Sequence, residues 1–398
     1  MGEIILKVVW LCHFVNSEMK KYLKRPYLKE MAPWIDSFIN LYKNTIPLFE
    51  LHIIAPNYYT NTNIAFVKDG IHYNLFKFRS NLIPKKIYNL IPFDYLTNFY
   101  NNKKEVYKFI RKINPDVVHL FGAENAYYSS TILPIIDKYK ILLTVQGFIK
   151  NESKKNFINL ARRRIEKEII TKINNVAVDA NFIKDEILNI NKNANIFWHK
   201  YPVYNNKKYS LKYVNKIYDC VFFARVCEDK GINDLIDAIA LVKEKNKNVS
   251  LCIIGDVKKR FLIKLKRRCE SLNLSENIIF KGFLQSQDDV HNEAIKAKMC
   301  VLPTHHDNIP GCITESMLLK LPVVTYNVGG IPDLNKEHEA VILVKKGDIE
   351  TLSKKIILLM NNKDLRIKIA NTAYKIAKKK FNNKKIIKQF NKIYNKIK

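Results

Sequence analysis

Eleven short apolar runs rich in Val, Ile and Leu recur along the chain, and amphipathic stretches separate many of them. In the first half they are Ile5–Leu11, Leu51–Ala55, Val117–Leu120, Ile141–Val145 and Val176–Val178. In the second they are Cys220–Ala224, Ser250–Ile254, Ile278–Phe280, Met299–Leu302, Val323–Thr325 and Val341–Leu343. A strand that is apolar without alternation is buried on both faces, as in a parallel sheet covered by helices. Ile232, Leu235, Ile236, Ile239 and Val242 repeat at helix spacing after one of these runs. Strand and helix in alternation predict the α/β class. A chain of 398 residues is long enough for two such domains. Strand signals lapse over 204–216, where Asn and Lys crowd together. The expected organisation is a Rossmann-like domain over 1–203, a linker over 204–216 and a second Rossmann-like domain over 217–380. The two doubly wound domains are expected to face a central cleft.

Composition removes other classes. The longest nearly apolar run, Ile4 to Val15, is interrupted by Lys7 and His13, and a membrane-spanning helix needs about 20 apolar residues. Glu3 stands where a secretory signal would carry basic residues, so the expected location is the cytoplasm. The seven cysteines include no Cys-x-x-Cys and lie largely in apolar runs, which reads as buried thiols in a reducing compartment. Net charge is 68 − 37 = +31. Residues 1–200 hold 30 Lys/Arg against 17 Asp/Glu, and residues 201–398 hold 38 against 20. Charge spread over both halves argues against a nucleic-acid partner, which would gather it on one face. The last 48 residues differ, with 15 cations against Asp364 alone. There Phe381, Ile386, Phe390, Ile393, Tyr394 and Ile397 form an apolar stripe on a predicted basic helix.

Three clusters in the second half each follow a predicted strand. Arg225 and Lys230 stand five residues apart after Phe222-Phe223-Ala224, and Gly231 opens the next helix. Two cations beside a helix N-terminus suit a diphosphate; the alternative is a solvated pair on a loop. Asp307 and Glu315 stand eight residues apart around Pro310-Gly311, before a helix expected over Ser316 to Lys320. Carboxylates suit sugar hydroxyls, because each oxygen accepts from one or two of them. Gly329-Gly330 follows Val323–Thr325 and would let backbone approach a ligand. The C-terminal ends of strands are the edge where open α/β sheets bind ligands.

In order and spacing, residues 217–345 resemble glycosyltransferase family 4, retaining enzymes of the GT-B fold that use sugar nucleotides. The resemblance rests on Arg225 with Lys230-Gly231, Asp307 with Glu315, Glu315-Ser316-Met317 with Leu321-Pro322-Val323-Val324, and Gly329-Gly330-Ile331-Pro332-Asp333. It implies that Arg225 and Lys230 neutralise the donor diphosphate, that Glu315 holds the ribose and that Asp307 contacts the donor sugar. The family has Glu where Asp307 stands. Gly311, Gly329 and Gly330 would give close backbone approach, and Phe283 falls where the family packs the base. No Asp-x-Asp occurs among the 18 aspartates, so no metal cofactor is expected.

The first domain would hold the acceptor, and the resemblance implies that the final helix, 381–398, crosses back to pack on it; the alternative is that its basic face meets an anionic bilayer. Its candidate catalytic residue is His119, at the end of a strand, because Gln146 stands where many relatives carry a His. Cys12-His13-Phe14 stands where the family often has paired glycines. Lys20-Lys21-Tyr22-Leu23-Lys24-Arg25 would suit an anionic membrane surface or a lipid diphosphate. The expected activity is transfer of a sugar from a nucleotide-diphosphate sugar to a glycan or lipid-linked oligosaccharide. A non-catalytic subunit of the same fold and a sugar-nucleotide epimerase are the alternatives.

Overall fold

The computed structural model describes residues 6–28, 31–44, 48–78, 93–151, 157–203 and 214–398. The chain divides into two compact units, one comprising Met1–Pro202 with Asn383–Lys398, the other Val203–Asn382. Of the expected linker, 204–213 lies outside the described residues.

The first unit holds an eight-stranded sheet: β1 (Lys7–Leu11), β2 (Glu50–Asn57), β3 (Ile64–Lys68), β4 (Ile71–Lys77), β5 (Val117–Phe121), β6 (Lys140–Thr144), β7 (Asn175–Val178) and β8 (Asn195–Trp198). Their order is β3-β4-β2-β1-β5-β6-β7-β8. All neighbours are parallel except β3 and β4, which form a hairpin across Asp69-Gly70. The continuous burial of β1 and β5 matches their apolar runs, as helices on both faces require. The helix Asn383–Ile397 joins this unit and buries Ile386, Ile387, Phe390, Ile393, Tyr394 and Ile397 in its core.

The second unit holds six parallel strands: β9 (Tyr218–Phe223), β10 (Leu251–Ile254), β11 (Ile278–Gly282), β12 (Ala297–Leu302), β13 (Val323–Tyr326) and β14 (Ile342–Val344). Their order is β11-β10-β9-β12-β13-β14. The helix Ile232–Lys245 buries Ile232, Leu235, Ile236, Ile239 and Val242, the predicted stripe. From β9 the chain winds outward to β11, then returns to lay β12 on the other side of β9. At such a switch point the connections leaving the two strands diverge to opposite faces of the sheet and leave a crevice beyond their C-terminal ends.

Among the described residues no helix is long and apolar enough to cross a membrane. All seven cysteines are free. Burial pushes the Cys252 thiol up to about 12 and that of Cys269 to about 11, so both stay protonated.

Candidate functional site

The switch point sits between β9 and β12, and the predicted donor residues leave those two strands. Beyond β9, a single helical turn at Glu228–Lys230 presents Lys230, and Gly231 then starts the helix Ile232–Lys245. Gly231 has φ +72°, and a Cβ there would lie 1.8 Å from the carbonyl oxygen of Pro303. Only glycine lets the first turn pack this closely on the loop after β12. That loop is tied back in turn: the His305 amide donates to the Asp229 carbonyl at 2.9 Å.

The same loop carries Asp307. Its Oδ2 accepts from the Lys230 ammonium and from Thr304 Oγ1, the latter at 2.9 Å. Lys230 and Asp307 are each about four-fifths buried, at 19% side-chain exposure. The two residues read from separate clusters, 77 positions apart, therefore meet as an ion pair. Arg225 is exposed at the end of β9, and its guanidinium has no side-chain partner among the described residues. A cation so placed is available to an anionic ligand.

After Asp307 the chain turns at Pro310 into the helix Gly311–Leu318. The expected start at Ser316 is thus five residues late. Pro310 supplies the extended residue before the first turn, and no side chain caps the helix. Its N-terminus presents unsatisfied backbone amides and the positive end of the dipole. Glu315 is the fifth residue of this helix. Its Oε2 accepts from Gln287 Nε2 at 2.6 Å and lies 3.1 Å from His291 Nε2. Both partners come from the helix Gln287–Ala294, and the reading of the sequence missed them. Their one signal is an i, i+4 polar pair on a helix, which names no partner 24 residues away.

The paired glycines act differently from expectation. A Cβ on Gly329, at φ +53°, would stand 1.7 Å from the Asp307 carbonyl oxygen, and the Gly330 amide donates to the Asn308 carbonyl at 3.1 Å. Their close approach is to the Asp307 loop, which they brace from β13. Gly311 has open space at its α-carbon apart from Glu315 Oε1, 3.7 Å from an ideal Cβ. Phe283, just past β11, is 55% exposed.

His119 requires correction. It lies on β5 with no exposed surface. Its Nδ1 lies 2.7 Å from Tyr394 Oη and its Nε2 2.7 Å from Thr144 Oγ1. The ring stacks on Phe121 at 3.9 Å. Burial lowers its pKa well below the ordinary value, so the imidazole is neutral. With both nitrogens engaged inside the core, it is a structural residue with no access to substrate. The error arose because β5 runs one residue further than its apolar run suggested, to Phe121, leaving His119 inside the sheet.

Residues 206–376 match the family model described as "Glycosyl transferases group 1". The chain is 26% identical over 330 residues to the capsular polysaccharide biosynthesis glycosyltransferase CapM of Staphylococcus aureus, covering 78% of this chain and 85% of that protein. Sucrose-phosphate synthase from Thermosynechococcus elongatus superposes with a TM-score of 0.74 at 14% identity, over 98% of each chain. The structure of HepE from Anabaena in complex with UDP-glucose gives 0.71 at 15% identity, over 98% of this chain and 100% of that one. The parallel sheets, the sequence motifs in their order and these matches agree: the chain is a glycosyltransferase of the GT-B fold, and its match to the group 1 transferases lies within the second unit.

Proposed function

We propose that the enzyme is a retaining, metal-independent transferase that moves a sugar from a nucleoside-diphosphate donor to a glycan or lipid-linked acceptor. The product would be a cell-surface polysaccharide, as the name of CapM suggests. The carrying observation is the convergence at one switch point of Arg225, the Lys230–Asp307 pair, the N-terminus of Gly311–Leu318 and Glu315. Arg225 and Lys230 neutralise the diphosphate and stabilise it as leaving group. Asp307 releases Lys230 to the phosphates and turns to the sugar hydroxyls. Glu315 accepts from the ribose, and the exposed ring of Phe283 lies against the base. Gly311 keeps the helix N-terminus open to the phosphates.

With His119 withdrawn, no side-chain nucleophile or base is assigned. Attack then occurs on the face that the phosphate leaves. The bond from the anomeric carbon to the phosphate oxygen breaks, the acceptor oxygen bonds to that carbon, and the departing phosphate oxygen takes the acceptor proton. The two cations replace a metal at the diphosphate, and the chain carries no Asp-x-Asp. The exposed Lys21, Tyr22, Lys24 and Tyr27 would bring the enzyme to an anionic cytoplasmic membrane surface.

Calorimetric titration with UDP, GDP, ADP and TDP, with chelator present, tests the donor site. One of them should bind, and Arg225→Ala or Lys230→Ala should weaken it by about ten- to a hundredfold, since a hydrogen bond to a charged group is worth about 1.5–3 kcal/mol. Turnover of the matching nucleotide sugar should survive chelation. Unchanged binding in both variants would remove the assignment, and rescue of lost turnover by magnesium would refute metal independence.

A further inference from the structure

We infer that His291 and Gln287 are positioning residues for Glu315: they hold one carboxylate oxygen so that the other is presented to the donor ribose. The inference rests on Glu315 being the ribose ligand. Gln287 and His291 lie one turn apart on the helix Gln287–Ala294, so their side chains share a face. Both approach the same atom, Glu315 Oε2, at 2.6 and 3.1 Å. A neutral imidazole donates there when its hydrogen is on Nε2, and the glutamine amide donates through its NH2. The His291 side chain is 1% exposed and that of Glu315 is 15% exposed. The ring is thus shielded from direct contact with a ligand, and its Nε2 also lies 3.3 Å from Gln287 Nε2.

The other oxygen, Oε1, lies on the side of Gly311, 3.7 Å from where a Cβ would stand on that residue. A free glutamate carboxylate turns easily, because its terminal torsion is broad. Two donors on Oε2 remove that freedom before a ligand arrives, and an ordered group costs less to bind. The polypeptide between β11 and this helix also carries Phe283. One stretch, the connection 283–286 with the first turns of the helix, therefore serves both the base and the acid assigned to the ribose.

The test is titration of the full-length protein with the tightest-binding nucleoside diphosphate, alongside steady-state kinetics and the ligand-free melting temperature. His291→Leu should weaken binding about tenfold or more and raise the donor KM by a similar factor, with kcat changed less than about twofold. His291→Gln restores an N–H at similar reach and should recover most of the loss. Gln287→Leu, on the more accessible partner, should act in the same direction, and it decides the matter if His291→Leu does not fold. Near-normal binding in both leucine variants, or a loss that His291→Gln does not relieve, would overturn the inference. Glu315→Gln separates it from the functional reading. If that variant binds nucleotide normally, the ribose assignment itself fails. If it binds weakly while both leucine variants bind well, only the positioning role fails.

Discussion

His119 and His199 are buried in the first unit with neutral rings, and neutrality has a cost at low pH. Burial is the main cause in both, lowering His199 to about 3 and His119 well below its ordinary value. In the unfolded chain each would titrate near 6.5. Below that pH the unfolded state binds protons that the folded state refuses, so stability rises with pH and falls as the solution is acidified. The contribution is complete above about pH 6.5 and is lost as pH falls toward the folded values. Between pH 7.5 and 5 each histidine should remove about 2 kcal/mol, before most carboxylates titrate. Urea denaturation of the first unit at the two pH values measures this, and His199→Phe should flatten the dependence. A midpoint that does not move over this window would show that the rings become charged in place. The residues proposed for the donor stood out in the sequence because a diphosphate and sugar hydroxyls call for particular side chains after particular strands. Gln287 and His291 were not readable, since their role is fixed by a neighbour brought close only by folding.

At the scale of elements, most strands announced themselves by apolar composition, the edges β11 and β14 of the second sheet included, whereas β3, β4 and β8 toward the margins of the first sheet did not. β8 is short and partly exposed, and β3 alternates weakly at the sheet margin. Yet Asp69-Gly70, both at positive φ, is a hairpin turn signal that was present and unused. The helix at Gly311 was placed late because Pro310-Gly311 reads as a turn, although an extended Pro can also precede a first helical turn. The final helix was legible as an amphipathic stripe, and the first domain as the partner that the resemblance implied, but the detail of the contact was not. The structure supplies it: Tyr394 Oη accepts from Trp10 Nε1 at 3.0 Å and lies 2.7 Å from His119 Nδ1, while Phe390 packs edge-on against Phe38. Tyr394→Phe keeps the ring and leaves the buried indole N–H unpaired. It should lower stability by about 1–3 kcal/mol, the cost of a buried polar group without a partner. A denaturation midpoint equal to that of the parent would mean that Trp10 finds another acceptor or water. The apolar face of this helix lies in the protein core, so it has little surface left with which to enter a bilayer.

At the scale of the whole molecule, the two units differ in how the chain builds them. The second is continuous, Val203–Asn382, and contains every residue assigned to the donor. The first is discontinuous and takes its last helix from the far end of the chain. Six side chains of that helix are buried in its core. At about 1.5–3 kcal/mol for each large apolar side chain, their burial rivals the roughly 5–15 kcal/mol by which a domain is stable. The prediction is an asymmetry between fragments. Residues 203–382 expressed alone should unfold cooperatively and bind the nucleoside diphosphate within a few-fold of the full chain. Residues 1–202 alone should lack a cooperative transition, and a peptide of residues 383–398 added in trans should restore one, because a ligand that binds only the folded form shifts the equilibrium toward it. Circular dichroism melts of the two fragments, with and without peptide, decide the outcome. A first fragment that melts cooperatively without the peptide would show that the sheet and its other helices suffice. A second fragment that folds but fails to bind nucleotide would show that the donor site needs residues from outside Val203–Asn382, and the assignment to one unit would then be wrong.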